Sequence, residues 1–139
     1  MAEATVNFLA VLAAIIVNMA LGFLWYSKPM FGNDFIALLG WNVKKMNKPT
    51  SGEMAKSIGG GALATGIMAF VMSLFAEYIG ANTWLFGMQL GFQLWLGFVA
   101  TVLVGSVLWE RKPWKLFFIN SGYWFVALLI MGAIIGGWQ

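Results

Sequence analysis

Read for the spacing of its apolar positions, the chain falls into four long hydrophobic blocks separated by shorter polar ones. They run Val6–Tyr26, Ser57–Gly80, Leu85–Trp109 and Trp114–Trp138. Each reaches the roughly 20 residues that a helix needs to cross a bilayer core. Backbone groups in lipid find no water, so each block must satisfy its own hydrogen bonds and be helical. The pattern predicts an all-α, polytopic membrane protein, a four-transmembrane-helix bundle forming a single transmembrane domain over residues 1–139. The first block has no basic stretch before it and exceeds the roughly 7–15 apolar residues of a signal peptide, so it is expected to be a retained helix.

The polar blocks differ in length. The first spans about 30 residues, and within it Asn33 or Asp34 is expected to cap a short helix with Phe35, Ile36, Leu38, Leu39 and Trp41 on one side. Lys44 and Lys45 follow, where cations suit the helix dipole, giving an amphipathic loop segment at the headgroups. Asn47, Pro49 and Gly52 break it. Thr50 and Glu53 then have the spacing of a capping box, so the second long helix should begin in water.

Charge fixes a direction. All eight basic residues lie in the first and third loops: Lys28, Lys44, Lys45, Lys48 and Lys56, then Arg111, Lys112 and Lys115. Four spans put those two loops on one side, which the positive-inside rule makes cytoplasmic with both termini outside. "WERKPWK" reads as a tight cytoplasmic turn, with Trp109 and Trp114 at headgroup level, Glu110 and Arg111 as an interfacial ion pair, and Pro113 opening the last helix. Trp25 and Tyr26, with Tyr78, Trp84 and Trp138 at the other ends, supply the aromatic belts of both interfaces.

Composition narrows the chemistry. Of 139 residues, 61% are hydrophobic and 9% charged, against about 25% charged in soluble domains. Cysteine and histidine are absent, which removes thiolate chemistry, the usual general base and the commonest metal ligands. The acidic residues are Glu3, Asp34, Glu53, Glu77 and Glu110. No catalytic residue, metal or cofactor is expected, and the protein is not read as an enzyme. The net charge of +3 lies beside apolar spans, which favours membrane lipid over nucleic acid as the partner.

Inside the spans, small residues recur at four-residue spacing: Ala10, Ala14, Asn18 and Gly22; Ser57, Gly61, Thr65, Ala69 and Ser73, followed by Glu77; and Gly97, Thr101 and Gly105. Such rows let membrane helices approach closely. The first two rows are expected to face each other or the third, and the second row to form the contact of a homo-oligomer. Polar residues sorted by depth make a candidate intramembrane site of Asn18, Gln93, Asn120, Tyr123, Glu77 and Gln89. Asn18 and Asn120, counted from the cytoplasmic helix ends, fall at matched depth and are expected to hydrogen-bond. Gln93 and Tyr123 fall near the midplane. Asn7, Glu77 and Gln89 fall in the outer third, and Glu77 is the one intramembrane carboxylate, a candidate functional group for that reason.

The stretches "NMALGFLWYSKPMFG" and "LGFVATVLVGSVLWERKPWKLFFINSGYWFVALLIMGAIIGGW" resemble the bacterial domain-of-unknown-function 1761 family. The resemblance rests on Asn18, Gly22, Trp25 and Tyr26; on Gly97, Phe98, Trp109, Glu110, Pro113 and Trp114; and on Asn120, Gly122, Tyr123, Met131, Gly132 and Trp138. It implies a small four-helix bacterial membrane protein and carries no assigned activity. With the charge pattern it gives a multi-pass protein of the bacterial inner membrane. The best reading of function is an oligomeric transport or permeation protein for a small molecule or ion. The alternative is a non-transporting structural or regulatory membrane protein that binds lipid or a partner protein.

Overall fold

In a computed structural model, residues 6–40 and 50–138 are described. They form α1 (Phe8–Trp25), a short α2 (Gly32–Leu39), α3 (Ser51–Ile79), α4 (Trp84–Leu108) and α5 (Trp114–Gly137). No strand occurs among the described residues. The four long helices are all long and apolar enough to cross a membrane. Their limits match the sequence reading to within two residues, except that α3 starts at Ser51 rather than Ser57. Glu3, Trp41, Lys44, Lys45, Asn47, Lys48 and Pro49 lie outside the described residues.

Side-chain caps set most of the starts. Asn7 Oδ1 accepts from the N–H groups of Leu9 and Ala10 at the head of α1, and its Nδ2 donates to Trp138 O at 2.8 Å. Thr50 Oγ1 accepts from Glu53 N–H, the expected cap of α3, and Thr83 does the same for α4 through Phe86 N–H. Gly80, left-handed at φ 74°, ends α3. The α2 cap differs from expectation. Asn33 and Asp34 sit inside its first turn, and the cap position is Phe31, which makes no side-chain hydrogen bond. The chain reverses too tightly for a longer approach: Phe31 N–H bonds Trp25 O, and Gly32 lies on the backbone of Tyr26 and Ser27, where a Cβ would collide.

α5 is the central helix. Of its apolar window 44% is buried, against 22% for α1 and α3 and 11% for α4. Leu128, Met131 and Ile135 of α5 and Met72 of α3 are the largest fully buried side chains. The first ten residues of α3, Ser51–Gly60, are all exposed, so α3 starts clear of the bundle.

The closest seam lies between α4 and α5, where Gly87 and Gly91 oppose Gly132 and Gly136. A Cβ on Gly87 would run into the carbonyl of Gly132, and one on Gly132 into that of Gly87. This is the small-residue approach that lets dispersion forces act at short range in lipid. Four residues past Gly91 the seam meets Trp95, whose ring stacks edge-on against Phe125 with centroids 4.8 Å apart. Bulk replaces glycine there. The backbone takes a π-helical turn over Trp95–Ala100, and α4 diverges from α5 with no buried residue from Trp95 to Leu108. π-turns are a recognised cause of such bends.

The α1 and α3 rows do face each other. Ala10, Ala14 and Asn18 are buried opposite Thr65, Ala69 and Ser73, and Gly61 and Gly66 pack on Met19 and Ile15. The third row does not join them, because Gly97 has open space beside it and Thr101 is exposed. Of the α3 row expected to form an oligomer contact, Ser57 is exposed and Gly61 half-buried. Thr65, Ala69 and Ser73 are consumed within one chain and present no surface to a second copy.

Candidate functional site

From the middle of the bundle toward the end that carries the basic residues, polar side chains from α1, α3 and α5 close on one another. Asn18, 2% exposed, is the hub. Its Nδ2 donates to Thr65 Oγ1 at 2.9 Å, and its Oδ1 accepts from Tyr123 OH at 2.6 Å. Thr65 in turn donates to Gly61 O, one helical turn back. Tyr123 reaches Asn18 because Gly22 leaves room, since a Cβ there would stand 3.1 Å from the phenol oxygen. Every bond is between neutral groups, and the burial that would penalise each alone is offset by its partner.

A second bond lies closer to the basic end. Tyr26 OH donates to Asn120 Oδ1 at 2.7 Å, and the Tyr26 and Tyr123 rings meet edge-on at 5.6 Å. Beside it Trp25 Nε1 donates to Ile119 O, and Trp95 Nε1 to Ser121 O on the far side of α5. Tyr26 is the first residue past α1 and is half-buried. Burial, with a smaller contribution from neighbouring Tyr123, pushes its phenol up to about 12. α2 packs beneath: Phe35 against Tyr26, Phe31 against Trp25, and Asp34 paired with Lys115 at 3.7 Å.

Asn18 and Asn120 therefore do not bond each other, contrary to the sequence reading. The contacts Asn7–Trp138, Trp25–Ile119 and Tyr26–Asn120 set the antiparallel register of α1 on α5. In that register Asn18 is level with the turn around Ala127, and Asn120 lies roughly 10 Å nearer the basic end. α5 begins about a turn and a half beyond the end of α1, so equal counts from the two helix ends are not equal depths. Each asparagine takes a tyrosine instead.

The other candidates separate. Gln89 and Gln93 are exposed on the outward face of α4, beside a groove that Leu85, Phe92 and Phe125 line. Glu77 is half-buried near the end of α3 remote from the junction, and its carboxylate has no hydrogen bond or ion pair among the described residues. In the turn, Trp109 and Trp114 are exposed and Pro113 sits immediately before α5 as expected. Glu110 pairs with Lys112 at 3.5 Å, not with Arg111. Arg111 adopts the left-handed φ of 57° in the turn. Thr65 and Tyr26 were read as packing and belt residues. Their signal was position alone, Thr65 opposite Asn18 and Tyr26 two turns beyond it.

The junction holds amides, phenols and a hydroxyl, groups that bind and position rather than carry charge. The residues on which the resemblance rests at these helix ends, Asn18, Gly22, Trp25, Tyr26, Asn120, Gly122 and Tyr123, are the ones that meet here. Fold and junction together define a polytopic helical membrane protein with four spanning helices and internally paired polar groups. The chain belongs to the DUF1761 family of proteins of unknown function, whose family model matches residues 9–136. No curated protein and no solved structure matches it.

Proposed function

We propose that this protein works as an assembly of identical copies in the bacterial inner membrane and gives a small polar molecule or ion a route between them. The supporting observation is the outward face of α4, where Gln89, Gln93 and Thr101 are all exposed. Gln93 lies nine residues into the span, roughly 13 Å deep, and neither glutamine has a partner among the described residues. A primary amide left in hydrocarbon costs a few kcal/mol. Copies inserted in the same direction bring Gln93 to the same depth, and a carboxamide, being donor and acceptor at once, can bond its own image. Within one chain Met72, Leu128, Met131 and Ile135 fill the centre, so any route runs between copies. The segregated basic residues orient each copy with both termini outside.

The absence of cysteine makes the test direct. Gln93→Cys should form a disulfide dimer on oxidation, and Leu12→Cys, exposed on α1, should not. Reconstituted vesicles should leak small polar solutes faster than empty ones, and Gln93→Leu should slow the leak. Cross-linking without leakage would favour a second reading, a non-transporting protein that holds lipid or a partner helix. Supporting that reading is an apolar groove of about 470 Å³ between α3 and α4, lined by Ile67, Met68, Phe75 and Phe98. Failure to cross-link at Gln89 and Gln93 would end the proposal.

A further inference from the structure

We infer that the basic end of α5 binds an anionic phospholipid whose two acyl chains straddle Phe118. The ring of Phe118, 64% exposed, stands as a ridge between two grooves. One, of about 520 Å³, runs between Trp25, Phe31 and Ile119 and has Trp114 and Lys115 on its walls. The other, of about 240 Å³, is walled by Trp95, Phe117 and Phe125. Gly122 lines both. Two apolar channels side by side, sharing Gly122 and separated by the Phe118 ridge, match a diacyl lipid rather than a single tail or a helix.

The walls are fixed. The Trp25 indole is held by Ile119 O and the Trp95 indole by Ser121 O, so neither ring is free to swing in and fill its groove. Ser121 also lines the smaller groove, 2% exposed, and its hydroxyl is the one buried side-chain polar atom without a hydrogen-bond partner among the described residues.

Charge selects the headgroup. Lys112 pairs with Glu110 and Lys115 with Asp34, which leaves Arg111 without an ion pair among the described residues. Lys115 stands on the wall of the larger groove, and the turn that precedes α5 therefore carries unbalanced positive charge at the level where lipid phosphates lie. A second copy is the less suitable occupant. Inserted in the same direction, it would bring its own Arg111, Lys112 and Lys115 to that level and set like charges together.

The inference is independent of any permeation and is tested on the whole purified chain. In native mass spectrometry from detergent, titrated with phosphatidylglycerol or phosphatidylcholine of identical chains, one phosphatidylglycerol per chain should persist where phosphatidylcholine is lost. Arg111→Gln and Lys115→Gln should each weaken retention about fivefold, the effect of one basic residue at an anionic surface. Both side chains are exposed, and an unchanged thermal midpoint shows that the fold is intact. Phe118→Ala should weaken both lipids alike, and glycerophosphoglycerol, which lacks acyl chains, should not compete. Equal retention of the two lipids, retention unaffected by the charge variants, or full competition by the chainless headgroup would each overturn the site.

Discussion

Where Gly132 and Gly136 pass Gly87 and Gly91, α5 and its neighbour touch backbone to backbone, and no polar side chain takes part. Three turns earlier on the same helix the spacing is wide, and side-chain hydrogen bonds cross the gap: Trp95 to Ser121, Trp25 to Ile119, Tyr26 to Asn120 and Tyr123 to Asn18. Apart from the bond of Asn7 to Trp138 O, the end remote from the basic residues is held by contact distance and the other by directed bonds. The first is unforgiving of volume and indifferent to polarity. The second is the reverse. Aromatic residues that hold helices apart also leave grooves between them, as beside Trp25 and Trp95.

The largest effect should come from volume at the close end. Gly132→Leu sets a side chain against the Gly87 carbonyl, and neither backbone can yield without opening the seam. A loss of at least about 3 kcal/mol, or no folded protein, is expected in detergent unfolding, the upper range for overpacking. Gly59→Leu, with nothing within 4 Å, should stay within about 0.5 kcal/mol of the parent. Equal effects of the two would erase the contrast between the ends.

Polarity should matter at the other end. Asn18→Leu strips partners from Tyr123 and Thr65 and should cost about 1–3 kcal/mol. A double-mutant cycle with Tyr123→Phe should show coupling of about 1 kcal/mol, within the range for hydrogen bonds between membrane helices. Asn18→Leu combined with Asn120→Leu should add to within about 0.5 kcal/mol, since the two side chains do not meet. Coupling between the asparagines, and none with Tyr123, would reverse the assignment.

A smaller effect belongs to pH. The Tyr26 phenol ionises at about 12 in the folded chain, against about 10 when unfolded. Between those values the unfolded chain holds fewer protons than the folded one, so stability falls as pH rises through that window. Unfolding midpoints recorded from pH 8 to 12 should decline more steeply for the parent than for Tyr26→Phe. Parallel curves would mean that Tyr26 is solvated and that the contact with Asn120 is open.

The spans were legible because lipid leaves the backbone only one solution, and apolar length then fixes every limit to within two residues except the start of α3, which extends past the apolar run to the Thr50 cap. The α4–α5 seam was equally written in the chain, as "GMQLG" and "GAIIG". The row Gly97, Thr101 and Gly105 drew attention away from it. Only the packed structure shows that bulk at Trp95 turns that row outward. The pairing of Asn18 was misread because depth was counted from helix ends that are not level. Tyrosines at helix ends look like belt residues in sequence. Whether such a phenol points to headgroups or folds back onto an amide depends on a neighbour such as Gly22, whose missing side chain makes the room.

The unequal lengths of adjacent helices have a consequence for the bilayer itself. α1 has 18 residues, about 27 Å of helix, and α3 beside it has 29, about 43 Å. A hydrocarbon core of about 30 Å is too thick for the first and too thin for the second. α3 can tilt or stand proud in water, and its exposed polar start does so. α1 has neither remedy, being capped by Asn7 at one end and turned sharply into α2 at the other. Lipid along α1 must thin by a few ångströms, at a fraction of a kcal/mol for each. Shorter-tailed lipids relieve that strain, so the lipid ring against α1 favours them.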